Sequence, residues 1–450
     1  MVRCYCRFVV FAVGMVVLSA ACCAGFQLLA PTDGQAVREN VKIQVPADAV
    51  PEGGFISVML GDPGAEKFVV ALSRDSAKLV GTDLAFYWNS KAPYYDPNAK
   101  DPMQPIQFKD GRYPLKVQVH DAKGKMIESA DVNVEIRNRV PRTNPAPGIS
   151  LANRLVFGQI NNYHARCDVS VFEMVNGIGL PMFGGMGLSG DMLIIQSVED
   201  ARGGGQFLIR LREDEKTYIS SYGVKRYLYV GQELKPQLYR LVSKYGEVLT
   251  ANMFAKQAKY QIMDVLPVLP KQTVKEGDSW PDSMTLKIDG LTPLIKLKGS
   301  AMLDSFEWQD GRECAKITAI LSGDIPISLA NGKIQGNGPL DARVTTYFAY
   351  KSGAMIKREI MLTFDASIMP GADDNSGRAS GGSNAGLMPP PGYGSSPYGD
   401  EPEAPGLGSP RPTPEPTRGP GLPNSGTRGT SDTGGKKGTV ELDIVLRLEK

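Results

Sequence analysis

Hydrophobic and polar residues alternate with a period of two along much of the chain, the pattern of β-strands with one buried face. The clearest hairpin carries its apolar residues at Leu115, Val117, Val119 and then Val132, Val134, Ile136. An Asp121–Gly124 turn separates its two strands. Short alternating strands joined by regular turns predict an antiparallel β-sandwich over residues 26–139.

A second β-rich region is predicted over residues 151–369, after a linker at 140–150 that three prolines stiffen. Its strands are longer, and they predict one antiparallel sheet with a single clear helix at about 251–266. Pro267 ends that helix, and its apolar stripe is Phe254, Ala258, Ile262 and Val265. The stretch 234–245 fits either a helix or a pair of strands.

Residues 370–438 break the pattern, because 30 of these 69 residues are Gly or Pro. Such a segment cannot bury enough apolar surface to offset chain entropy, so we expect disorder there. Alternation then returns at residues 439–448, which predicts a strand paired with Ile360–Ile368. The second domain is therefore predicted to comprise 151–369 plus 439–450, with the disordered segment as an insertion.

Residues 1–24 are predicted to be a secretory signal peptide. Arg3 and Arg7 precede an apolar run of 11 residues, and a zone of small residues follows. The run is too short to span a membrane as a helix, which takes about 20 residues. Export would place the protein in the periplasm, the outer envelope or outside the cell.

Two forms of the mature amino terminus stay open. Cleavage after Ala24 would leave a soluble chain, whereas lipidation of Cys22 would anchor it to a membrane. Ser19 stands where a bacterial lipoprotein signal normally has leucine.

The formal charge of +2 comes from 50 basic and 48 acidic residues, and the two signal-peptide arginines account for all of it. Balanced charge argues against a nucleic-acid partner.

The body of the chain contains two cysteines, Cys167 and Cys314. In an exported protein they could form one disulfide. The alternative is two unpaired, buried thiols. Strand parity places Cys167 with Val169 and Val171, whereas Cys314 lies on the face opposite Ala315 and Ile317.

Residues 26–139 resemble a bacterial immunoglobulin-like domain. The resemblance rests on Pro31–Gly34, Trp88–Ser90, Asp110–Val119, Asp121–Gly124 and the closing Val132–Asn138. It covers about a quarter of the chain. It implies a spacer, adhesion or carbohydrate-proximal module, and no chemistry.

The stretches Leu266–Pro270 and Val274–Trp280 are similar to a signature of uncharacterised exported bacterial β-proteins, many of them lipoproteins. That family brings no assigned chemistry. Its overall shape resembles the curved half-barrel sheets of lipoprotein carriers.

Candidate chemistry is sparse. Gly185–Gly190 matches the G-x-G-x-x-G spacing, but a strand-like sequence follows it where a nucleotide site needs a helix. His120 and His164 have no His or Cys neighbour at metal spacing. We therefore predict no catalytic motif, metal or cofactor.

Two groups of residues are candidate contacts for a ligand or partner. Leu180, Met182, Phe183 and Met186 make the loop at 177–190 unusually apolar. Phe254 and Ile262 would line a pocket between the predicted helix and the sheet.

These observations predict a non-enzymatic exported envelope protein, in which an immunoglobulin-like module carries a β-domain with a binding or scaffolding role. Its partner would be an envelope protein, a polysaccharide or an apolar ligand. Two alternatives stay open: a carrier of a lipid or other apolar ligand, and a carboxylate-dependent hydrolase of envelope polymer.

Overall fold

The computed structural model describes residues 26–95, 105–142, 148–175, 178–181, 188–213, 218–221, 224–227, 237–250, 263–287, 294–324, 327–329, 334–336, 338–368 and 436–449. The predicted signal peptide at 1–24 and most of the predicted disordered insertion lie outside these residues. Residues 436–438 of that insertion belong to the last strand.

In the part of the first unit that the structure describes, there are ten strands and one short 3-10 helix at Arg74–Ser76. The strands are β1 (Gln35–Val37), β2 (Asn40–Pro46), β3 (Phe55–Leu60), β4 (Lys67–Ser73), β5 (Lys78–Val80), β6 (Asp83–Asn89), β7 (Tyr94–Tyr95), β8 (Pro105–Ile106), β9 (Gly111–His120) and β10 (Met126–Ile136). A five-stranded sheet has the order β1-β10-β9-β3-β4, and a three-stranded sheet has the order β2-β6-β5. Strand β1 pairs with β10 in parallel.

The two sheets enclose one apolar core. Alternate side chains of β2 and β6 pack against alternate side chains of β3, β9 and β10. Ile43, Ile56 and Val117 are fully buried in that core. Every buried residue of the cluster lies between residues 26 and 136.

The described residues of the second unit form sixteen strands. They are β11 (Ile160–Val175), β12 (Ile178–Pro181), β13 (Leu188–Arg202), β14 (Gln206–Glu213), β15 (Tyr218–Ser221), β16 (Val224–Tyr227), β17 (Gln237–Ser243), β18 (Val248–Thr250), β19 (Ser279–Leu286), β20 (Ile295–Gln309), β21 (Arg312–Asp324), β22 (Ile327–Leu329), β23 (Ile334–Gly336), β24 (Pro339–Ala349), β25 (Ala354–Ile368) and β26 (Lys436–Leu448). The mainly β architecture predicted from the sequence is confirmed. The stretch left open at 234–245 contains strand β17.

Eleven strands form one continuous sheet in the order β18-β17-β14-β13-β11-β26-β25-β24-β21-β20-β19, and all neighbours along it are antiparallel. Strand β26 pairs with β25 as predicted, with Ile444 opposite Ile360. It also pairs with β11 on its other side, where Ile444 is opposite Cys167. The last strand of the chain is therefore an interior strand of the sheet.

The segment 263–269, called here the crossing segment, connects strands near the two ends of this sheet. At one end its Asp264 N–H donates to the carbonyl of Thr285 on β19 at 2.9 Å. At the other its Leu269 N–H donates to the carbonyl of Tyr245, between β17 and β18, at 2.8 Å. One short segment can reach both ends because the sheet curves around it.

The crossing segment corrects one prediction about the helix at 251–266. Residues 263–266 are not helical, and the Asp264 N–H donates to Thr285 of β19 instead. Residues 251–262, including Phe254 and Ile262, lie outside the described residues.

The two units contact each other through the end of the β20–β21 hairpin. The Lys91 ammonium lies 2.9 Å from Glu307 Oε2 and 4.2 Å from the centre of the Tyr347 ring. The Arg38 guanidinium stacks on the Trp308 ring, 3.7 Å from its centroid. Two backbone hydrogen bonds add to this contact: Val140 N–H to Phe306 O at 2.8 Å, and Trp308 N–H to Asn138 O at 2.9 Å.

Candidate functional site

A cavity of about 620 Å³ lies between the two ends of the curved sheet. Strands β14 and β17 line one side, and β19 and β20 line the other. The crossing segment contributes Asp264, Val265 and Leu266. This volume is within the range of about 300–1,000 Å³ that small-molecule sites occupy.

Strand alternation brings apolar side chains to the walls of the cavity. On β14 and β17, every second residue points inward, which brings Ile209, Leu211 and Val242 to the cavity. Met284 of β19 and Leu297 of β20 face them from the other side. All five side chains belong to the main core cluster of the second unit.

Gly299 lies opposite Asp282 on the cavity wall, at a point where the backbone of β21 approaches closely. The two residues are opposite each other in the pairing of β19 with β20, and both line the cavity. A Cβ atom on Gly299 would lie 2.0 Å from the Ile320 carbonyl oxygen, so the backbone leaves no room for a side chain there.

An ion pair fixes the crossing segment to β17. Arg240 takes an inward position between Leu238 and Val242, and its Nη1 donates to Asp264 Oδ1. The other carboxylate oxygen of Asp264 accepts the Thr285 N–H at 2.6 Å. Both oxygens of Asp264 are thus engaged in holding the segment against the two sides of the sheet.

Arg358 of β25 is buried behind this pair, with 3% of its surface exposed. Its Nη1 donates to the Asp264 carbonyl oxygen at 3.3 Å, and its Nε donates to Thr346 Oγ1 at 3.2 Å. Burial lowers the pKa of Arg358, and attraction to Asp282 and Asp264 offsets part of this effect. Burial also raises the pKa of nearby Tyr163, against the attraction of Arg358.

Among the described residues, Asp282 is one of three carboxylates on the cavity wall, with Asp264 and Glu247. It sits between buried Trp280 and Met284 on the inward face of β19. Burial raises the pKa of its carboxyl, attraction to Arg358 offsets part of the rise, and repulsion from Asp264 adds to it. Its Oδ1 accepts the Ser283 N–H at 2.7 Å.

The residues predicted as contacts are not brought to this cavity by the described structure. Leu180 lies on β12, which pairs with β11, but its side chain is outside the described residues. Met182, Phe183 and Met186 lie outside them altogether, as does Cys22.

The two cysteines of the body are free and buried, so the structure has the unpaired alternative rather than a Cys167–Cys314 disulfide. Cys167 packs in the main core, whereas Cys314 packs in a separate cluster with Tyr347 and Ile356. Burial raises the pKa of Cys167 far above its ordinary range and that of Cys314 to about 12.

The charged residues of the site, Arg240, Asp264, Asp282 and Arg358, were not singled out from the sequence. A signal for three of them was present, because each occupies an inward position in an alternating apolar strand. The runs are Leu238-x-Arg240-x-Val242, Trp280-x-Asp282-x-Met284 and Arg358-x-Ile360-x-Leu362. Asp264 gives no such signal, since it lies outside any strand.

Within the part of the chain that the structure describes, no three His, Cys, Asp or Glu side chains are grouped closely enough to hold a metal ion. The same residues contain no helix with the length and hydrophobicity needed to cross a membrane.

No protein-family model matches the chain, and no curated protein is similar enough to match it. Among solved structures, a DUF4784 family protein from Bacteroides caccae aligns with 74% of this chain and 95% of its own, at 8% identity and a TM-score of 0.18. At that TM-score the likeness carries no argument about fold or function.

Proposed function

We propose that this protein is an exported, non-enzymatic binding protein of the bacterial envelope, whose β-domain takes a small, partly apolar ligand in the cavity between the ends of its sheet. The observation that carries the proposal is the cavity itself. Apolar side chains from both ends of the sheet line it together with charged groups such as Arg240, Asp264 and Asp282, so it can hold a ligand with apolar and polar parts.

The first unit is proposed to be an immunoglobulin-like spacer that presents this domain. Its sheets have the order β1-β10-β9-β3-β4 and β2-β6-β5. This order corresponds to the immunoglobulin arrangement, in which strands G, F and C share one sheet and strands B, E and D share the other. The signal-like pattern of residues 1–24 supports export.

The geometry favours binding over hydrolysis. A carboxylate-dependent hydrolase needs two carboxyl groups that are available to the substrate. Asp264 and Asp282 both line the cavity, but both oxygens of Asp264 already accept hydrogen bonds from the protein. A lipid or other apolar carrier function is compatible with the same cavity.

The test uses two neighbouring residues of β18. Val248 lines the cavity and is 43% exposed, whereas Leu249 is 46% exposed and does not line it. We expect 1-decanol, a neutral apolar probe, to bind the wild-type protein in calorimetric titrations. Val248→Trp should weaken that binding about tenfold or more by filling the cavity, and Leu249→Trp should leave it unchanged.

Equal affinity in both variants would place the probe elsewhere on the protein. No binding to the wild type would contradict the proposed function.

A further inference from the structure

We propose that the ligand carries a protonated amine next to its apolar part, and that the Asp282 carboxylate binds this amine. The inference rests on the proposed ligand-binding function of the cavity, and it adds the chemical class of the ligand.

The other charged residues around the cavity are paired or occupy exposed positions. Arg240 and Asp264 neutralise each other, and Glu247 is paired with Lys271 at 2.9 Å. Lys296 and Lys298 also line the cavity, but they are exposed and occupy the β20 positions that alternate with Ile295, Leu297 and Gly299. A ligand carboxylate or phosphate would therefore meet these cations only at exposed positions, whereas Asp282 lies on the inward face of β19.

Asp282 is different, because it forms no ion pair with any residue that the structure describes. The Arg358 side chain attracts it electrostatically but is oriented by its own hydrogen bonds to Thr346 and to the Asp264 carbonyl. Burial raises the pKa of Asp282, and the Arg358 charge offsets part of that rise without occupying the carboxylate oxygens. An ammonium group bound to the carboxylate would likewise favour its ionised form. A carboxylate in this setting is suited to a charge-assisted hydrogen bond from an ammonium group.

The surroundings of Asp282 fit an amine with an aliphatic body. Gly299, the residue opposite Asp282 on β20, adds no side chain to this part of the cavity wall. Met284 and Leu297 flank the pair of Asp282 and Gly299, and Leu211 and Val242 face this pair across the cavity. An alkyl chain leaving the amine would pack against these four side chains.

The experiment compares three probes that share a ten-carbon chain, namely decylamine, 1-decanol and decanoate, by calorimetric titration at pH 7. We expect decylamine to bind the wild-type protein about tenfold or more tightly than either other probe, as a hydrogen bond to a charged group predicts. Asp282→Asn should remove this advantage and leave 1-decanol binding within about twofold of wild type. Asp341→Asn is the matched control, because Asp341 is an exposed residue of β24 outside the cavity.

The outcomes distinguish failure of the amine assignment from failure of the proposed binding function. If decylamine and 1-decanol bind equally, or decanoate binds most tightly, the amine assignment is wrong while the cavity remains a binding site. If none of the three probes binds, both proposals fail. The affinities of the three probes for the wild-type protein test the amine assignment even if Asp282→Asn does not fold.

Discussion

Lys91 shows at the scale of one residue how the two units are held together. Its ammonium group contacts four groups of the second unit: the Glu307 carboxylate, the Trp308 carbonyl, the Gln309 side chain and the Tyr347 ring. The side chains of Lys91 and Glu307 are each only 13% exposed, so water screens their attraction little. Lys316 also contacts Glu307, at 3.1 Å.

We predict that Lys91→Met lowers the free energy of unfolding by about 1–3 kcal/mol, as removal of one partner of a largely buried ion pair does. Thermal or urea unfolding measures this. Lys123→Met, on an exposed turn of the first unit, is the control and should change stability by less than about 0.5 kcal/mol. An equal effect of the two variants would show that the Lys91 contacts contribute nothing to stability.

The same ion pair predicts a dependence of stability on pH. Burial raises the pKa of Glu307, but attraction to Lys91 and Lys316 outweighs it, so the net pKa lies below its usual value. A carboxyl whose pKa is lower in the folded state stabilises the protein above its unfolded-state pKa of about 4.3. That contribution is lost as the pH falls through the folded-state value.

Glu307→Gln removes this titration. We therefore expect the variant to lose less stability than wild type when urea unfolding is repeated from pH 6 down to pH 3. Parallel curves for the two proteins would show that Glu307 has the same pKa in the folded and unfolded states.

At the scale of elements, strand β26 joins the two halves of the large sheet. Its inward residues Val440, Leu442, Ile444 and Leu446 are almost fully buried between β11 and β25. Without this strand, β11 and β25 would lose their shared neighbour, and the sheet would divide in its middle.

We predict that deletion of residues 439–450 prevents the second unit from folding cooperatively, measured by thermal unfolding of the full chain and the truncated chain. A finer comparison uses two single substitutions. Leu442→Ala should cost about 2–5 kcal/mol, as loss of a buried leucine does, whereas Glu441→Ala on the outward face should cost less than about 1 kcal/mol. An unchanged unfolding temperature in the truncated chain would contradict the role given to β26.

The sequence predicted part of this element and could not predict the rest. Alternation along 439–448 indicated a strand with one buried face, and its place after the β25 residues suggested that pairing. The second pairing, with β11, joins residues almost 280 positions apart in the chain. Period-two alternation of apolar residues predicts which face of a strand is buried, but it does not predict which distant strand pairs with it.

The crossing segment shows why the predicted helix was wrong at its end. The stripe from Phe254 to Val265 fits helical spacing, and buried Val265 would satisfy either a helix or an extended chain. Tertiary hydrogen bonds decide the backbone conformation instead. The Asp264 N–H donates to Thr285 near one end of the sheet, and the Leu269 N–H donates to Tyr245 near the other. The spacing of apolar residues along the sequence carries no information about such hydrogen-bond partners.

At the scale of the whole molecule, the cavity and the contact between the units lie at different ends of the same strand. Gly299 and Trp308 are both on β20, so extended geometry places them roughly 30 Å apart. The first unit therefore contacts the second without covering the cavity. This separation suits a spacer that presents a binding domain.

A crystal structure of the protein with decylamine would test the central claim most directly. The predicted result is an alkyl chain between Val242 and Leu297, with the amine nitrogen about 2.7–3.2 Å from a carboxylate oxygen of Asp282. An empty cavity at saturating decylamine, or an amine bound only on the outer surface, would contradict it.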